Sequence, residues 1–231
     1  MKQTLAAVLY DINLPLKIMP LKIPALKPGQ VLVKIAYTSI CRTQLNEMQG
    51  LKGKDKFLPH TLGHEGSGVV EEIGAEVTKV SPGDRVVMSW LRGSGMEVPS
   101  CVYESEYGSV NSGAISTFLF DAVISENRVI PIKSKTSLRT SALFGCAVPT
   151  GAGSVINIAN PKPSESIAIF GLGGVGQCAA IAAKNFGVST IIGIDKIIDR
   201  LSIAHTLGVT DTINPIREDV SRRIFEITQG E

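Results

Sequence analysis

Hydrophobic and polar residues alternate along much of the first half of the chain, which is the pattern of half-buried β-strands. The alternation is clearest in QVLVKIAYTSI, which follows the turn signal KPG, and it recurs near the N-terminus, in GSGVVEEIG and in DRVVMSW. Apolar residues also cluster at Thr117–Phe120 and in NRVIPI. By contrast, RGSGMEVPSCVYESEYGSVNSG has no period and predicts a long loop. We therefore expect a β-rich first unit.

The pattern changes near Thr136. The stretch SLRTSALFGCAVPTGAGSVINIA has a helical period and is rich in small residues. Beyond it, the buried strands IAIF, TIIGID and VTDTIN alternate with the amphipathic helices QCAAIAAKNFG, IIDRLSIAHTLG and REDVSRRIFEITQG. Alternating strands and helices are typical of a parallel sheet. The predicted fold class is α/β, with a β-rich unit at residues 1–150 and a parallel α/β unit at residues 151–231.

Composition narrows the range of functions. The chain has 231 residues, 44% of them hydrophobic, and a net charge of +2 with scattered lysines and arginines. That distribution indicates no nucleic-acid partner, and the short, broken apolar runs indicate no membrane partner. The N-terminus is interpreted as mature protein and not as a signal peptide. The four cysteines form no CxxC pair, which favours a reduced, cytoplasmic protein.

A glycine-rich turn is the strongest local motif. Gly171, Gly173 and Gly176 follow the buried strand IAIF and open a helix, and Asp195 ends the next strand about twenty residues later. The first glycine permits the turn, the second allows a pyrophosphate to approach, and the third allows helix and strand to pack. Asp195 would accept hydrogen bonds from a ribose and repel a 2′-phosphate, which favours NAD over NADP, although the adjacent Lys196 weakens that preference. A glycine turn that binds nothing is the simpler alternative.

The stretch LPHTLGHEGSG raises a second question, because it contains a histidine between glycines. Together with His64, Cys41 and Cys146 would supply two thiolates and one imidazole and leave a fourth tetrahedral position open, as in catalytic zinc sites. Spacing alone does not decide this. A solvated turn histidine and buried, inert cysteines explain the same residues.

Five motifs in order, SICRTQL, GHEGSGVVEEIG, PGDRVV, FGCAVPTGAG and IFGLGGVG…IIGID, resemble the zinc-dependent alcohol dehydrogenases of the medium-chain dehydrogenase/reductase superfamily. The resemblance covers nearly the whole chain. It implies a GroES-like catalytic domain at residues 1–150, followed at residues 151–231 by the N-terminal half of a Rossmann NAD-binding domain. It also implies that Cys41, His64 and Cys146 are the catalytic zinc ligands.

The resemblance also implies roles for single positions. It implies that Thr43 passes on the substrate proton and that Glu65, a second catalytic position, lies beside the ligand histidine and can approach the metal. Trp90 falls where the family places a substrate-pocket aromatic, although core packing explains it equally well. His60 matches no ligand and is interpreted as an ordinary loop residue. The implied cofactor-binding residues are Arg42 at the pyrophosphate, Thr150 and Val175 at the nicotinamide, Gly171, Gly173, Gly174 and Gly176 in the turn, and Asp195 and Arg200 at the ribose, although for Arg200 a solvated helix face is an equal explanation.

The chain departs from the family in three ways. The loop after VVMSW contains only Cys101, so one catalytic zinc and no structural zinc are expected. Gln44 stands where relatives often have an aspartate that orients the ligand histidine, and Asn46 stands where some have a relay histidine. The sequence stops at Glu231 after three Rossmann strands, which is interpreted as a C-terminal truncation that leaves the activity of this chain open.

The sequence therefore predicts a zinc-dependent, NAD-linked oxidoreductase that interconverts small alcohols with aldehydes or ketones, with a homo-oligomer expected at full length. The mechanism follows general zinc and nicotinamide chemistry, with the metal polarising the oxygen and a hydride passing to NAD. Two alternatives stay open. One is a zinc-free reductase of the quinone-reductase type, against which the ligand set argues. The other is an inactive fragment that binds NAD or a partner protein through its open sheet edge.

Overall fold

The computed structural model describes residues 2–230, which form two units, one ending at Cys146 and one beginning at Ala147. The functions assigned above to residues 1–150 and 151–231 stay predictions. Within the described range, no single helix is both long and apolar enough to cross a membrane. Two helical segments joined at a bend, Leu138–Gly145 and Ala147–Ala159, reach that length and hydropathy only when they are combined.

The first unit contains two β-structures, with one short α-helix between their strands. Five strands close a barrel in the order β1-β2-β7-β8-β4, and five form a sheet in the order β10-β6-β5-β3-β9. The prediction of a β-rich first unit is confirmed. The strands are β1 (Gln3–Leu9), β2 (Lys17–Lys22), β3 (Gln30–Thr38), β4 (His60–Thr61), β5 (Glu65–Ile73), β6 (Arg85–Ser89), β7 (Val102–Ser105), β8 (Gly108–Asn111), β9 (Asp121–Ser125) and β10 (Val129–Pro131), and the helix is α1 (Arg42–Met48).

The predicted long loop contains two strands, and in this respect the prediction was wrong. Strands β7 and β8 form an antiparallel hairpin that places Tyr103 and Val110 opposite each other, and both side chains are fully buried. Each strand has only four residues, so too few positions alternate for the period to stand out. The Tyr103 hydroxyl accepts a hydrogen bond of 2.9 Å from the Val123 amide, which ties the hairpin to β9.

The apolar cluster at Thr117–Phe120 forms an isolated bridge, between Leu119 and Ala6. One further prediction of secondary structure needed correction. The predicted continuous helix after Thr136 is broken at Cys146, whose φ of −150° is not helical. Glycine and proline are poor helix formers, and this stretch contains several of them. Its pieces are α2 (Leu138–Ser141), a 3₁₀ turn (Ala142–Gly145), α3 (Ala147–Gly153) and a π-helical turn (Ser154–Ala159).

The second unit is a parallel three-stranded sheet with helices, as the sequence predicted. Its strand order is β11-β12-β13, and all pairs are parallel. Small side chains of α4, including Ala180 and Ala183, pack into a core with Ile191 and allow the helix to lie close to the sheet. Its further elements are β11 (Ser166–Phe170), α4 (Gly174–Asn185), β12 (Thr190–Ile194), α5 (Ile198–Thr206), β13 (Asp211–Ile213) and α6 (Val220–Thr228).

Candidate active site

Three predicted ligands meet in the first unit. One donor atom each from Cys41, His64 and Cys146 lies within 4.8 Å of the other two. In a tetrahedral zinc site, two such donors are separated by about 3.6–3.8 Å, so a small contraction would complete the geometry. Two sulfurs and one imidazole nitrogen are ligands that zinc prefers. The residues therefore fit a zinc ion with one open coordination position.

Local structure brings each donor to the site. Cys41 is the N-cap of α1, and His64 comes immediately before β5. Cys146, 8% exposed, follows the 3₁₀ turn that ends the first unit. Burial lowers the pKa of His64, which favours the neutral imidazole that metal binding requires. Three segments that are distant in sequence thus place their donors around one point.

Gln44 joins two of these segments. Its side chain is 2% exposed, its Oε1 accepts a 2.8 Å hydrogen bond from the Cys41 amide, and its Nε2 contacts His64 Nδ1. The amide that replaces the family's aspartate therefore bridges the α1 N-terminus and the ligand histidine. Ligation through Nε2 of His64 leaves a proton on Nδ1, so with metal bound the amide would turn its oxygen towards Nδ1.

Gly145 allows β5 and β6 to lie directly against the turn that carries Cys146. A Cβ atom at this position would lie 2.7 Å from the Glu65 Cβ and would overlap the Met88 carbonyl oxygen. Glu65 itself is 2% exposed, and its carbonyl accepts hydrogen bonds from Thr38 and Thr117, at 3.0 and 3.1 Å. The main chain next to His64 is therefore fixed from both sides, and Glu65 is held beside the donors.

A cavity of about 540 Å³ adjoins the donor set. Thr43 and His64 line it, and Thr43 Oγ1 lies 3.7 Å from Cys41 Sγ. Phe57 and Leu62 give part of its wall an apolar character. Trp90 does not line this cavity, and at 45% exposed it is not packed in the core; its place in a substrate pocket stays a prediction.

The glycine turn in the second unit has the geometry that the motif predicts. Gly171 has a φ of +89°, which favours glycine. At Gly171, Gly173 and Gly174, an added Cβ atom would meet no atom within 4 Å, so the backbone faces open space. At Gly176, an added Cβ atom would overlap the Gly171 carbonyl oxygen. A pyrophosphate therefore fits against this turn at the start of α4.

Asp195 lies beside the glycine turn and is hydrogen-bonded to it. It is 8% exposed, and its carboxylate accepts hydrogen bonds from the amides of Leu172 at 2.8 Å and Ile197 at 2.9 Å, and from Arg200 at 3.3 Å. Burial alone would raise the pKa of Asp195, but these donors keep it below its usual value. A carboxylate has about four acceptor positions, so about one remains for a ribose hydroxyl.

The remaining cofactor positions lie on exposed surfaces. Arg42 is exposed at the first position of α1, and its Nε donates to Asn46 at 3.1 Å. Thr150 lies on α3, and Val175, 41% exposed, lies on the first turn of α4. Arg200 reaches Asp195 from α5. No ligand contact tests these positions, so their roles stay predictions.

His60 is not the ordinary loop residue that the sequence suggested. It lies in β4, is 6% exposed, and places its Nε2 2.8 Å from Asp55 and 3.9 Å from Glu47. This cluster could not be predicted from the sequence, because the three residues match no motif. One signal was present: Glu47 stands four positions after Thr43, on the same face of a helix.

Comparisons with known proteins place the chain in a family. Residues 27–134 match the model of the alcohol dehydrogenase GroES-like domain, and residues 174–231 match that of the zinc-binding dehydrogenases. Alcohol dehydrogenase 1 of Pisum sativum is 32% identical over 97% of this chain, which spans only 66% of that relative's length.

Two solved structures are similar over 99% of this chain and 68% of their own. An alcohol dehydrogenase zinc-binding domain protein from Burkholderia ambifaria has a TM-score of 0.91 at 31% identity. The benzyl alcohol dehydrogenase of Acinetobacter calcoaceticus has a TM-score of 0.87 at 30% identity. The chain therefore belongs to the zinc-binding alcohol dehydrogenases of the medium-chain dehydrogenase/reductase superfamily.

Proposed function

We propose that this chain carries the zinc and NAD sites of an oxidoreductase that interconverts an alcohol with an aldehyde or ketone. The observation that carries the proposal is the convergence of Cys41, His64 and Cys146, with His64 lining a cavity. Bound there, zinc would act as a Lewis acid on the substrate oxygen, and NAD would exchange hydride with the substrate carbon.

The chain's own residues would orient the substrate and move its proton. Thr43 Oγ1 lies close to Cys41 and lines the cavity, so its hydroxyl would take the alcohol proton and pass it towards solvent. Phe57 and Leu62 would hold the substrate's apolar part and exclude water. Glu65 would act through its buried position next to His64, as a positioning residue.

NAD is the proposed cofactor because the glycine turn leaves room for a pyrophosphate and because Asp195 is charged. Its carboxylate would accept a hydrogen bond from the ribose and repel the 2′-phosphate of NADP. Arg200 lies 3.3 Å from Asp195 and partly offsets that repulsion. Arg42, Thr150 and Val175 are proposed as further cofactor contacts, and homo-oligomerisation and a cytoplasmic location as further properties.

Zinc content and turnover test the proposal together. We expect the purified chain to retain about one zinc equivalent and to reduce NAD with a small alcohol such as benzyl alcohol, measured as NADH absorbance. Cys41→Ala should lose both the zinc and the turnover. Cys178→Ala, which removes a thiol in the second unit, is the matched control and should keep both.

The alternatives predict different results. A folded chain that binds NADH and zinc without turnover would indicate a binding fragment. Turnover that persists after zinc removal would indicate a zinc-free reductase. Full zinc occupancy in Cys41→Ala would overturn the ligand assignment.

A further inference from the structure

A second group of metal-ligating side chains lies in the first unit, beside the proposed substrate cavity. It consists of Glu47 on α1, Asp55 in the following loop and His60 on β4. One donor atom from each lies within 4.8 Å of the other two. Their side chains are 27%, 12% and 7% exposed, so the group is largely withdrawn from solvent.

The imidazole of His60 has a fixed orientation. Its Nδ1 lies 3.0 Å from the Thr61 carbonyl oxygen, which can only accept, so Nδ1 carries a proton and donates it. The other nitrogen, Nε2, therefore faces the two carboxylates. A carbonyl partner on one ring nitrogen is the usual arrangement of a histidine whose other nitrogen binds a metal.

Each carboxylate uses one oxygen elsewhere and directs the other at His60. Asp55 Oδ1 accepts the Phe57 amide at 2.9 Å, while Oδ2 lies 2.8 Å from His60 Nε2. Glu47 Oε2 lies 3.3 Å from the Lys52 ammonium, while Oε1 lies 3.9 Å from His60 Nε2. Three donor atoms thus converge on one point from three segments.

The position between these atoms requires a cation. A lone pair on Nε2 would face carboxylate oxygens and repel them, so either a proton or a metal ion must lie there. Donors around a tetrahedral zinc with nitrogen and oxygen ligands are about 3.3 Å apart, and the two measured distances, 2.8 and 3.9 Å, fall on either side of that value.

We propose that Glu47, Asp55 and His60 form a second site for a divalent transition-metal ion, zinc by preference. The site is separate from the thiolate donors and holds a mixture of imidazole and carboxylate ligands, which suits zinc and its neighbours better than calcium or magnesium. Glu47 and His60 also line the substrate cavity. A bound ion would fasten the loop of Asp55 to α1, the helix that carries Thr43.

The test starts from protein that holds one equivalent of zinc at the thiolate site, titrates it with cobalt(II), and follows binding by calorimetry and absorption. We expect an additional equivalent whose spectrum lacks thiolate-to-cobalt charge transfer, because the proposed ligands contain no sulfur. Glu47→Gln and Asp55→Asn, which preserve shape, should each weaken this equivalent by about 10–100-fold or more. Glu104→Gln, an exposed carboxylate on β7, is the matched control and should change nothing.

A second measurement needs no substituted protein. In proton-detected spectra of ¹⁵N-labelled histidine with zinc in excess, His60 should carry a proton on Nδ1 and none on Nε2. The ¹⁵N resonance of Nε2 should shift when the metal binds. Protons on both ring nitrogens under those conditions, or an additional equivalent that survives both substitutions, would overturn the proposal. A titration in which only the thiolate site binds metal would also overturn the proposal.

Discussion

Two donor clusters share α1 and the chain around β4, yet they differ in chemistry. The first combines two sulfurs with His64, whose Nδ1 contacts a side-chain amide. The second combines two carboxylates with His60, whose Nδ1 faces a backbone carbonyl. The same residue type, four positions apart, therefore has a different orienting partner in each cluster. The comparison teaches that the two co-ligands, thiolates in one cluster and carboxylates in the other, set the chemistry of each cluster, while the partner of Nδ1 fixes the orientation of its imidazole.

Removing each histidine should have the largest effect and should separate the clusters. We expect His64→Ala to reduce thiolate-bound zinc from about one equivalent to almost none, because one of three protein ligands is lost. His60→Ala should leave that equivalent in place. Metal analysis after desalting measures both. Equal zinc loss in the two variants would mean that the clusters act as a single site.

Changing the orienting partner should have the next largest effect. Gln44→Leu removes the side-chain amide that contacts His64 Nδ1 and accepts from the Cys41 amide, so we expect zinc affinity at the thiolate site to fall about 10–100-fold. Gln44→Glu supplies acceptors to both groups and should retain the affinity. Competition with a chelator measures these constants. An unchanged affinity in Gln44→Leu would show that packing alone orients the histidine.

Glu126 is a buried carboxylate outside both donor clusters, so it separates an effect on stability from an effect on metal binding. It is 1% exposed, and it accepts hydrogen bonds from the amides of Thr78, Lys79 and Met96. Glu126→Gln should therefore lower the free energy of unfolding at neutral pH by about 1–3 kcal/mol, without changing the metal content. Urea unfolding and metal analysis measure the two quantities.

The stability that Glu126 contributes should decrease as the pH falls. Burial opposes the charged form of Glu126, but the three amides keep its pKa below the ordinary value of 4.5. The stabilisation is then complete above about pH 4.5 and is lost as the pH falls through the lower, folded-state value. The difference between the protein and Glu126→Gln should shrink in acid; a constant difference would show that charge plays no part.

Lys52 should give the smallest effect on stability. Its side chain is 49% exposed and its ammonium lies 3.3 Å from Glu47, so Lys52→Met should change the unfolding free energy by less than about 1 kcal/mol. The same substitution removes a cation that competes for Glu47, and we expect the second site to bind cobalt(II) a few-fold more tightly. Weaker binding in Lys52→Met would show that the lysine positions Glu47 instead of competing for it.

Features whose residues lie close together in the sequence could be predicted, and features whose residues lie far apart could not be predicted from spacing alone. The glycine turn and Asp195 lie within one βα unit, so residue types and spacing were sufficient to predict the turn geometry that Gly171 and Gly176 adopt. Cys41, His64 and Cys146 are far apart in sequence, and only the family resemblance brought them together. The parallel sheet of the second unit was predicted correctly for the same local reasons.

The remaining features depend on tertiary contacts that leave no periodic signal. The hairpin of β7 and β8 was missed because its strands are short, and the break at Cys146 was missed because small residues resemble a helix. The environment of His60 was missed because Asp55 and Glu47 approach it only through the fold.

The number of positions in α1 that already have a role limits how far this helix can be varied by mutagenesis. In eight consecutive positions from its N-cap, the chain uses Cys41, Thr43, Gln44 and Glu47 for different tasks, while Arg42 and Leu45 remain exposed. A randomised library of this segment should therefore yield few functional clones, and those clones should vary mainly at Leu45, because Arg42 is a proposed contact of the cofactor pyrophosphate. Libraries intended to change substrate preference belong on cavity residues outside α1, such as Val102 and Ile115.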